Sequence, residues 1–151
     1  MNKSPLVSII MNCHNGENFL SHSIESILNQ SYKKWEIIFF DNNSKDKSKK
    51  IFKSYNDKRF KYFKSSKLIN LYAARNLALK KTKGELITFL DVDDLWDKKK
   101  LERQIKKMIQ KKTSFLYSNY YILYNDKKKL FTNKILPSGH ITKNLLEYYF
   151  I

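Results

Sequence analysis

Residues 84–96 read GELITFLDVDDLW, and this stretch decides the fold class. Its apolar part, 84–91, follows a glycine break and predicts a buried β-strand. The strand runs directly into three acidic residues, Asp91, Asp93 and Asp94. Carboxylates this close together repel one another, and burying one without a partner is costly. A positively charged group is therefore expected beside them.

The chain on either side of this stretch alternates predicted strands with predicted helices. Three further strands are predicted from apolar or alternating runs, at 5–13, 35–41 and 59–64. Helices are predicted at 19–29, 46–55, 70–81, from the N-cap Asp97 onward, and at 141–150. This order predicts an α/β fold with a mostly parallel sheet flanked by helices. A predicted hairpin, with strands at 113–124 and 129–136, makes the sheet mixed after about residue 113.

Length and composition indicate one reduced, folded domain. The chain has 151 residues, of which 42% are hydrophobic, which is enough for a core. No apolar run approaches the roughly 20 residues that a membrane span needs. The single cysteine, Cys13, cannot form an internal disulfide, so a cytoplasmic location is expected.

The net charge of +16 leaves three interpretations open. A balance this basic suits nucleic acid or an anionic membrane, but it also describes a solvated lysine-rich surface. Only three residues, Arg59, Arg75 and Arg103, are arginine, whereas base and phosphate recognition favours the arginine fork. We therefore favour a solvated surface, with peripheral docking to anionic lipids second and a nucleic-acid-binding domain as the remote alternative.

Polar side chains follow three of the predicted strands at the point where each strand ends. They are Asn12, His14 and Asn15 after the first strand, Asp41, Asn42 and Asn43 after the second, and the three aspartates after the fourth. In open α/β sheets, ligands bind beyond the carboxyl ends of the strands. The sequence therefore predicts a binding crevice lined by these side chains.

The two aspartates Asp91 and Asp93 suggest a metal site. In extended backbone, side chains two residues apart point the same way. Two hard carboxylates on one side suit Mg²⁺ or Mn²⁺, which leave coordination sites for phosphate. The alternative is an acidic turn that caps the next helix.

Three other candidates each have a structural alternative. Asp41 either accepts hydrogen bonds from a base or ribose, or forms an Asx turn. His14 either touches a ligand or lines a loop. Arg75, in the middle of a predicted helix, either reaches a phosphate or pairs with an aspartate across the crevice.

Two segments together resemble a known family. They are VSIIMNCHNGENFLSHSIESILNQSYKKWEIIFFDNNSKD, residues 7–46, and AARNLALKKTKGELITFLDVDDLW, residues 73–96. Their order and spacing resemble glycosyltransferase family 2, which has the GT-A fold, and the resemblance covers about residues 5–105. A nucleotidyltransferase of similar fold would normally carry a loop rich in glycine and arginine after the first strand, where this chain has only Gly16.

The resemblance implies an inverting transfer of a sugar from a nucleotide-diphosphate donor to an acceptor hydroxyl, in the synthesis of a surface glycan or glycolipid. It also implies roles for individual residues. The donor nucleotide would be bordered by Asn12, His14 and Asn15, and its base would lie near Asp41 and Asn42. Arg75 would lie near the site, Asp91 would lie near the ribose or metal, and Asp93 would be the main metal ligand. A cytoplasmic enzyme at the inner face of an anionic membrane is the expected setting.

The chain departs from the family pattern in three ways. Asn42 stands where many members have a second aspartate that often contacts uracil, and His14 stands where many have tyrosine. After Glu102, the acidic residues are Asp126 and Glu147, and neither fits the general base that inversion needs. We therefore expect a single GT-A domain over residues 1–151 that is truncated at its C-terminus. The alternative is a nucleotide-sugar-binding fragment without turnover.

Overall fold

The computed structural model describes residues 4–125 and 127–147, which contain six strands and five helices. The strands are β1 (Val7–Cys13), β2 (Trp35–Asp41), β3 (Phe60–Lys64), β4 (Leu86–Phe89), β5 (Tyr121–Tyr124) and β6 (Lys127–Leu130). The helices are α1 (Leu20–Leu28), α2 (Ser48–Ser54), α3 (Leu71–Leu79), α4 (Lys100–Lys111) and α5 (Thr142–Glu147). The chain divides into two compact units, residues 1–110 and 111–151.

The first unit is built on a four-stranded sheet in the order β3-β2-β1-β4, and all of its strands are parallel. Cys13 at the end of β1 lies opposite Asp41 at the end of β2, and Ile10 lies opposite Phe89 of β4. This register confirms the α/β fold with a parallel sheet. It also places the carboxyl ends of β2, β1 and β4 side by side, which we call the carboxyl edge.

The core of this unit lies mainly on one face of the sheet. That face packs against α1, α2 and α4, through buried side chains that include Ile24, Phe52 and Leu101. Phe39 of β2 stacks on Phe52 with ring centroids 4.3 Å apart. The other face carries a smaller cluster, in which Ile10 packs with Ala74 and Ala78 of α3 because small side chains let the helix approach closely.

The second unit contains the antiparallel hairpin β5–β6, with Tyr121 opposite Leu130, and the helix α5. Within the described residues the hairpin forms its own two-stranded sheet, so it does not extend the parallel one as predicted. Its strands are also shorter than the aromatic runs suggested. Asp126 lies outside the described residues, as do residues 148–151 and the side chain of Glu147.

Two sequence-based predictions for the first unit, for the fourth strand and for the start of the fourth helix, were wrong in detail. The fourth strand is shorter than 84–91 and is not buried on both faces: Ile87 and Phe89 are each 43% exposed, because β4 has only one neighbouring strand in the described sheet. Helix α4 begins at Lys100 rather than near Asp97, because the amides of residues 99 and 100 bond to Asp97 in a turn before the helix. Among the described helices, none is long and apolar enough to span a membrane.

Candidate functional site

The loops after β1 and β2 are held together by hydrogen bonds between their backbones and short polar side chains. Asn15 adopts a left-handed conformation with φ of 54°, which asparagine tolerates better than most residues. Its amide donates to the Ser44 hydroxyl (3.0 Å), and its side-chain oxygen accepts from the Lys45 amide (2.8 Å). The Gly16 amide donates to the Ser48 hydroxyl (2.9 Å). Asn15 therefore builds the loop that borders the carboxyl edge.

Asp41 is buried at the end of β2, and both of its carboxylate oxygens have protein partners. Oδ1 accepts from the Ser44 amide (2.7 Å), and Oδ2 accepts from the Tyr62 hydroxyl (2.6 Å). Burial raises the pKa of the Tyr62 phenol well above its ordinary value, and the Asp41 carboxylate raises it further. The turn alternative therefore describes Asp41 in this structure.

Asn42 is also buried, and its amide holds the segment between β3 and α3. Its Nδ2 donates to the Ile69 carbonyl (2.7 Å), while Oδ1 accepts from the Ile69 amide (3.0 Å) and the Ser65 hydroxyl (3.1 Å). Nδ1 of the His14 ring lies 3.0 Å from the backbone carbonyl oxygen of Asn42, and its Nε2 lies 3.3 Å from the side-chain nitrogen Nδ2 of Asn15. These contacts place His14, Asn15 and Asn42 together at the carboxyl edge.

Asn12 differs from its neighbours because its side chain has no partner among the described residues. It is 9% exposed, yet neither Nδ2 nor Oδ1 forms a hydrogen bond. It lies two residues beyond Ile10, on the face of β1 that α3 covers. The Nε of Arg75, on α3, is likewise buried without a partner in the described structure. Buried polar groups are rarely left unpaired, so these atoms at the carboxyl edge are candidates for contact with a ligand.

The three aspartates lie in a tight turn, not in extended backbone as predicted. The Asp94 amide donates to the Asp91 carbonyl (3.1 Å), so residues 91–94, which we call the acidic turn, reverse the chain after β4 ends at Phe89. The turn still brings the carboxylates near one another. Burial raises the pKa of Asp94 first, and the charges of Asp93 and Asp91 raise it further.

Arg75 pairs with the first of these aspartates. Its Nη2 donates to both carboxylate oxygens of Asp91, at 2.9 and 3.2 Å. Of the two possibilities that the sequence left open, the structure therefore shows the ion pair. The side chains stay about a third and a half exposed, so the pair orients Asp91 without sealing it from a ligand.

Gly16 brings the loop after β1 against the acidic turn. A Cβ atom on Gly16 would lie 2.9 Å from Cγ2 of Val92 and 2.9 Å from Sγ of Cys13, closer than real carbon contacts allow. The missing side chain therefore permits the close approach of the two segments.

The residues of the acidic turn fit a magnesium or manganese ion. No group of three or more His, Cys, Asp or Glu side chains in the described residues could hold a metal. Mg²⁺, however, is usually bound by one or two carboxylates together with substrate phosphates. Asp91 and the exposed Asp93 supply such a pair, and after burial the next causes that raise the pKa of Asp94 are the negative charges of Asp93 and Asp91, which a cation would offset.

Three side chains for which the sequence predicted no role, although they lie in the family-like segment 7–46, hold the acidic turn and the segment that follows it. Ser23 and Gln30 are fully buried and Ser26 is half-buried, and they bond to backbone between residues 91 and 101. The signal that could have found them is their spacing, since they lie three and four residues apart, beside the apolar face of α1.

Comparisons with known proteins agree with this geometry. The chain matches the family described as Glycosyl transferase family 2 over residues 8–149. It is 39% identical, over 93% of its length, to the Escherichia coli UDP-Glc:alpha-D-GlcNAc-diphosphoundecaprenol beta-1,3-glucosyltransferase WfgD, and 42% identical, over 78%, to the E. coli enzyme WfaP of the same description. These alignments cover 54% and 47% of the relatives, so the chain spans about half the length of either.

A solved structure shares the fold. The crystal structure of S. aureus TarS 1–349 in complex with UDP superposes with a TM-score of 0.64 at 26% identity, covering 69% of this chain and 32% of that chain. The family match over nearly the whole chain, the two relatives and this superposition agree with the parallel sheet and its polar carboxyl edge. The chain belongs to glycosyltransferase family 2 and has the GT-A fold.

Proposed function

We propose that the carboxyl edge binds the nucleoside diphosphate of a nucleotide-sugar donor, and that the whole protein transfers the sugar to an acceptor hydroxyl with inversion. The observation that carries this proposal is the Asn12 amide, buried at the end of β1 with no partner in the described residues. An amide offers both donors and an acceptor, which suits a base or ribose. The similarity to TarS, whose structure was solved with UDP, supports a nucleoside diphosphate as the class of ligand.

The site residues divide into two roles under this proposal. Asn12, Arg75 and the exposed edge of His14 contact the donor nucleotide. Asn15 borders it, and Asp41 and Asn42 lie near the base and act by holding the loops, because their side-chain oxygens are already engaged. This division accounts for the chain having asparagine at position 42, since an amide can bond both the Ile69 amide and the Ile69 carbonyl.

We propose that Asp91 and Asp93 hold a divalent cation, Mg²⁺ or Mn²⁺. When bound, the cation supplies positive charge that stabilises the diphosphate as it leaves the sugar. The chain's own contribution is to orient the carboxylates: Arg75 holds Asp91 through two hydrogen bonds, and the turn places Asp93 beside it.

The acceptor and the setting are proposed from the relatives and the charge. The two E. coli relatives are named for a diphosphoundecaprenol acceptor, a lipid, and this chain carries a net charge of +16. We propose a glycan or glycolipid acceptor in surface-glycan synthesis, with the protein in the cytoplasm and peripherally docked at the inner, anionic face of the membrane.

Calorimetric titration with UDP, GDP, dTDP and CDP, each with and without Mn²⁺, tests the donor site. We expect one nucleotide to bind in a Mn²⁺-dependent manner and Asp93→Asn to weaken that binding at least tenfold. Glu85→Gln is the matched control, because Glu85 is exposed and precedes β4 at the opposite end of the strand. Binding that is unaffected by Asp93→Asn contradicts the metal assignment, and no binding by any nucleotide contradicts the donor site in this chain.

A further inference from the structure

Three polar side chains on and just after α1 contact the backbone between the acidic turn and α4, and we call them the polar row. Ser23 and Ser26 lie on the helix, and Gln30 lies two residues beyond its end. Ser23 and Gln30 are 0% exposed. Fully buried polar side chains need specific hydrogen-bond partners. The partners of the polar row therefore indicate its role.

The Ser23 hydroxyl lies at the centre of the acidic turn. Its Oγ is 2.8 Å from the Val92 carbonyl oxygen, 2.5 Å from that of Asp94 and 3.5 Å from that of Asp91. All three contacts are to main-chain oxygens. The hydroxyl has one proton to share among these carbonyl oxygens, and it holds the backbone of the turn without contacting the carboxylates, of which Asp91 pairs with Arg75.

Ser26 and Gln30 extend the same row toward α4. Ser26 Oγ accepts from the Trp96 amide (3.2 Å) and donates to the Ser23 carbonyl (2.7 Å). Gln30 Nε2 donates to the Asp97 carbonyl (2.7 Å), and its Oε1 accepts from the Leu101 amide (3.1 Å). Backbone from the acidic turn to the first turn of α4 is thus tied to one rigid helix at successive points.

We infer that Ser23, Ser26 and Gln30 are positioning residues for cation binding. Ser23 fixes the backbone of the acidic turn itself, Ser26 and Gln30 fix the segment that follows it, and together they set the relative placement of the Asp91 and Asp93 carboxylates. This inference rests on the proposed metal site. A carboxylate pair binds a small, strict cation such as Mg²⁺ well only when its geometry is held, and residues that orient metal ligands typically change affinity by about 10–100-fold when mutated.

The experiment measures Mn²⁺ affinity in the absence of nucleotide, from the electron paramagnetic resonance signal of free Mn²⁺. We expect Ser23→Ala to weaken Mn²⁺ binding about tenfold or more, and Ser26→Ala, whose hydroxyl holds only the outer part of the segment, to weaken it less. Ser8→Ala is the matched control. Ser8 is equally buried and its hydroxyl also bonds several partners, Glu36 and the Gly84 amide, but it lies near the amino end of β1.

A purely structural role predicts a different pattern, in which Ser23→Ala and Ser8→Ala lower the melting temperature alike and leave Mn²⁺ affinity unchanged. That result would overturn the inference while Asp93→Asn still abolished Mn²⁺ binding, so the metal site itself would stand. If the wild type bound no Mn²⁺, the metal site and the inference would both fail. Should Ser23→Ala not fold, Ser26→Ala decides, with hydrogen exchange of the Trp96 amide confirming that the contact was lost.

Discussion

Helices cover the two faces of the parallel sheet to different extents. One face is covered by α1, α2 and α4, with stacked aromatic rings and fully buried aliphatic side chains such as Ile24. The other is covered in the first unit mainly by α3, through two alanines, and leaves Ile87 and Phe89 of β4 partly exposed. The unpaired Asn12 amide and Arg75 Nε also lie on this second side.

This difference suggests that one face of the sheet provides most of the stability and the other provides the proposed binding function. On the first face, which we call the closed face, apolar area is removed from water, and the gain of roughly 25 cal/mol per Å² accumulates over many side chains. On the second, the open face, the Asn12 amide and Arg75 Nε are buried without partners near the carboxyl edge, whereas the unpaired Nε1 of Trp35 on the closed face lies at the amino end of β2. A protein accepts the cost of unpaired polar atoms where a ligand binds. The closed face therefore holds the fold, and the open face carries the proposed donor site.

Truncating one phenylalanine on each face tests the comparison with the largest expected effect. Phe39 is 0% exposed on the closed face, whereas Phe89 is 43% exposed on the open face. Phe39→Ala should lower the free energy of unfolding by about 3–5 kcal/mol. Phe89→Ala should cost about 1 kcal/mol, partly from the loss of the Arg75 guanidinium over its ring.

Urea denaturation followed by circular dichroism measures both losses. Equal losses would contradict the distinction, because they would mean that the open face is covered in solution. If Phe39→Ala does not fold, Phe39→Leu replaces it, and its loss should still exceed that of Phe89→Leu.

Replacing the unpaired side-chain amide of Asn12 tests whether this amide lowers stability and is needed for binding. Asn12→Leu keeps the branched shape of the side chain and replaces two unpaired polar atoms with apolar ones, a change that is often neutral or stabilising. We expect the free energy of unfolding to stay equal or rise by about 1 kcal/mol, while affinity for the nucleoside diphosphate falls at least tenfold. Thermal unfolding and calorimetry measure the two quantities.

Asn56→Leu is the matched control for this exchange. Asn56 is exposed and precedes β3, at the amino end of the sheet. It should alter neither nucleotide affinity nor stability by a comparable amount. A large loss of stability in Asn12→Leu would instead mean that the amide has a structural partner, and it would remove the main support for the donor site.

The sequence predicted the strands that form the closed face, but it predicted the open face only in part. The predicted second strand matches β2 residue for residue, because a strand buried on both sides is a continuous apolar run. The same rule failed for β4: its residues are as apolar as those of β2, but position in the sheet, which one strand's sequence does not encode, leaves two of them partly exposed.

For the candidate site, too, the sequence predicted where the residues lie but not which partners they contact. Strand order predicted that Asn12, Asp41 and the aspartates would meet at one edge. Which of them are free to bind depends on contacts made across the fold, such as the Tyr62 hydroxyl on Asp41 and the Arg75 guanidinium on Asp91. Periodicity also placed the aspartates in extended backbone, because nothing in their own sequence shows that Ser23 draws the segment into a turn.

Neutralising Asp94 tests the acidic turn with the smallest expected effect. Its pKa in the folded chain is raised by burial and by Asp93 and Asp91. A carboxyl group with a raised folded pKa costs no stability while both states are protonated, below the unfolded value of about 3.9. The cost appears as the pH rises through the folded pKa, and it is complete above that pKa. Asp94→Asn should therefore stabilise the fold at pH 7, by less than about 1 kcal/mol because the side chain stays partly exposed and solvent screens its charge.

The advantage of Asp94→Asn over the wild type should shrink steadily as the pH is lowered toward 4, which thermal unfolding across a pH series measures. Glu85→Gln controls for the loss of one negative charge from a chain of net charge +16, and away from the turn this loss should give no stabilisation. A constant difference across the series would show that the Asp94 carboxyl does not interact with its neighbours. The acidic turn would then lack the concentrated charge that makes it suited to a cation, and the carboxyl edge would lose that part of its proposed function.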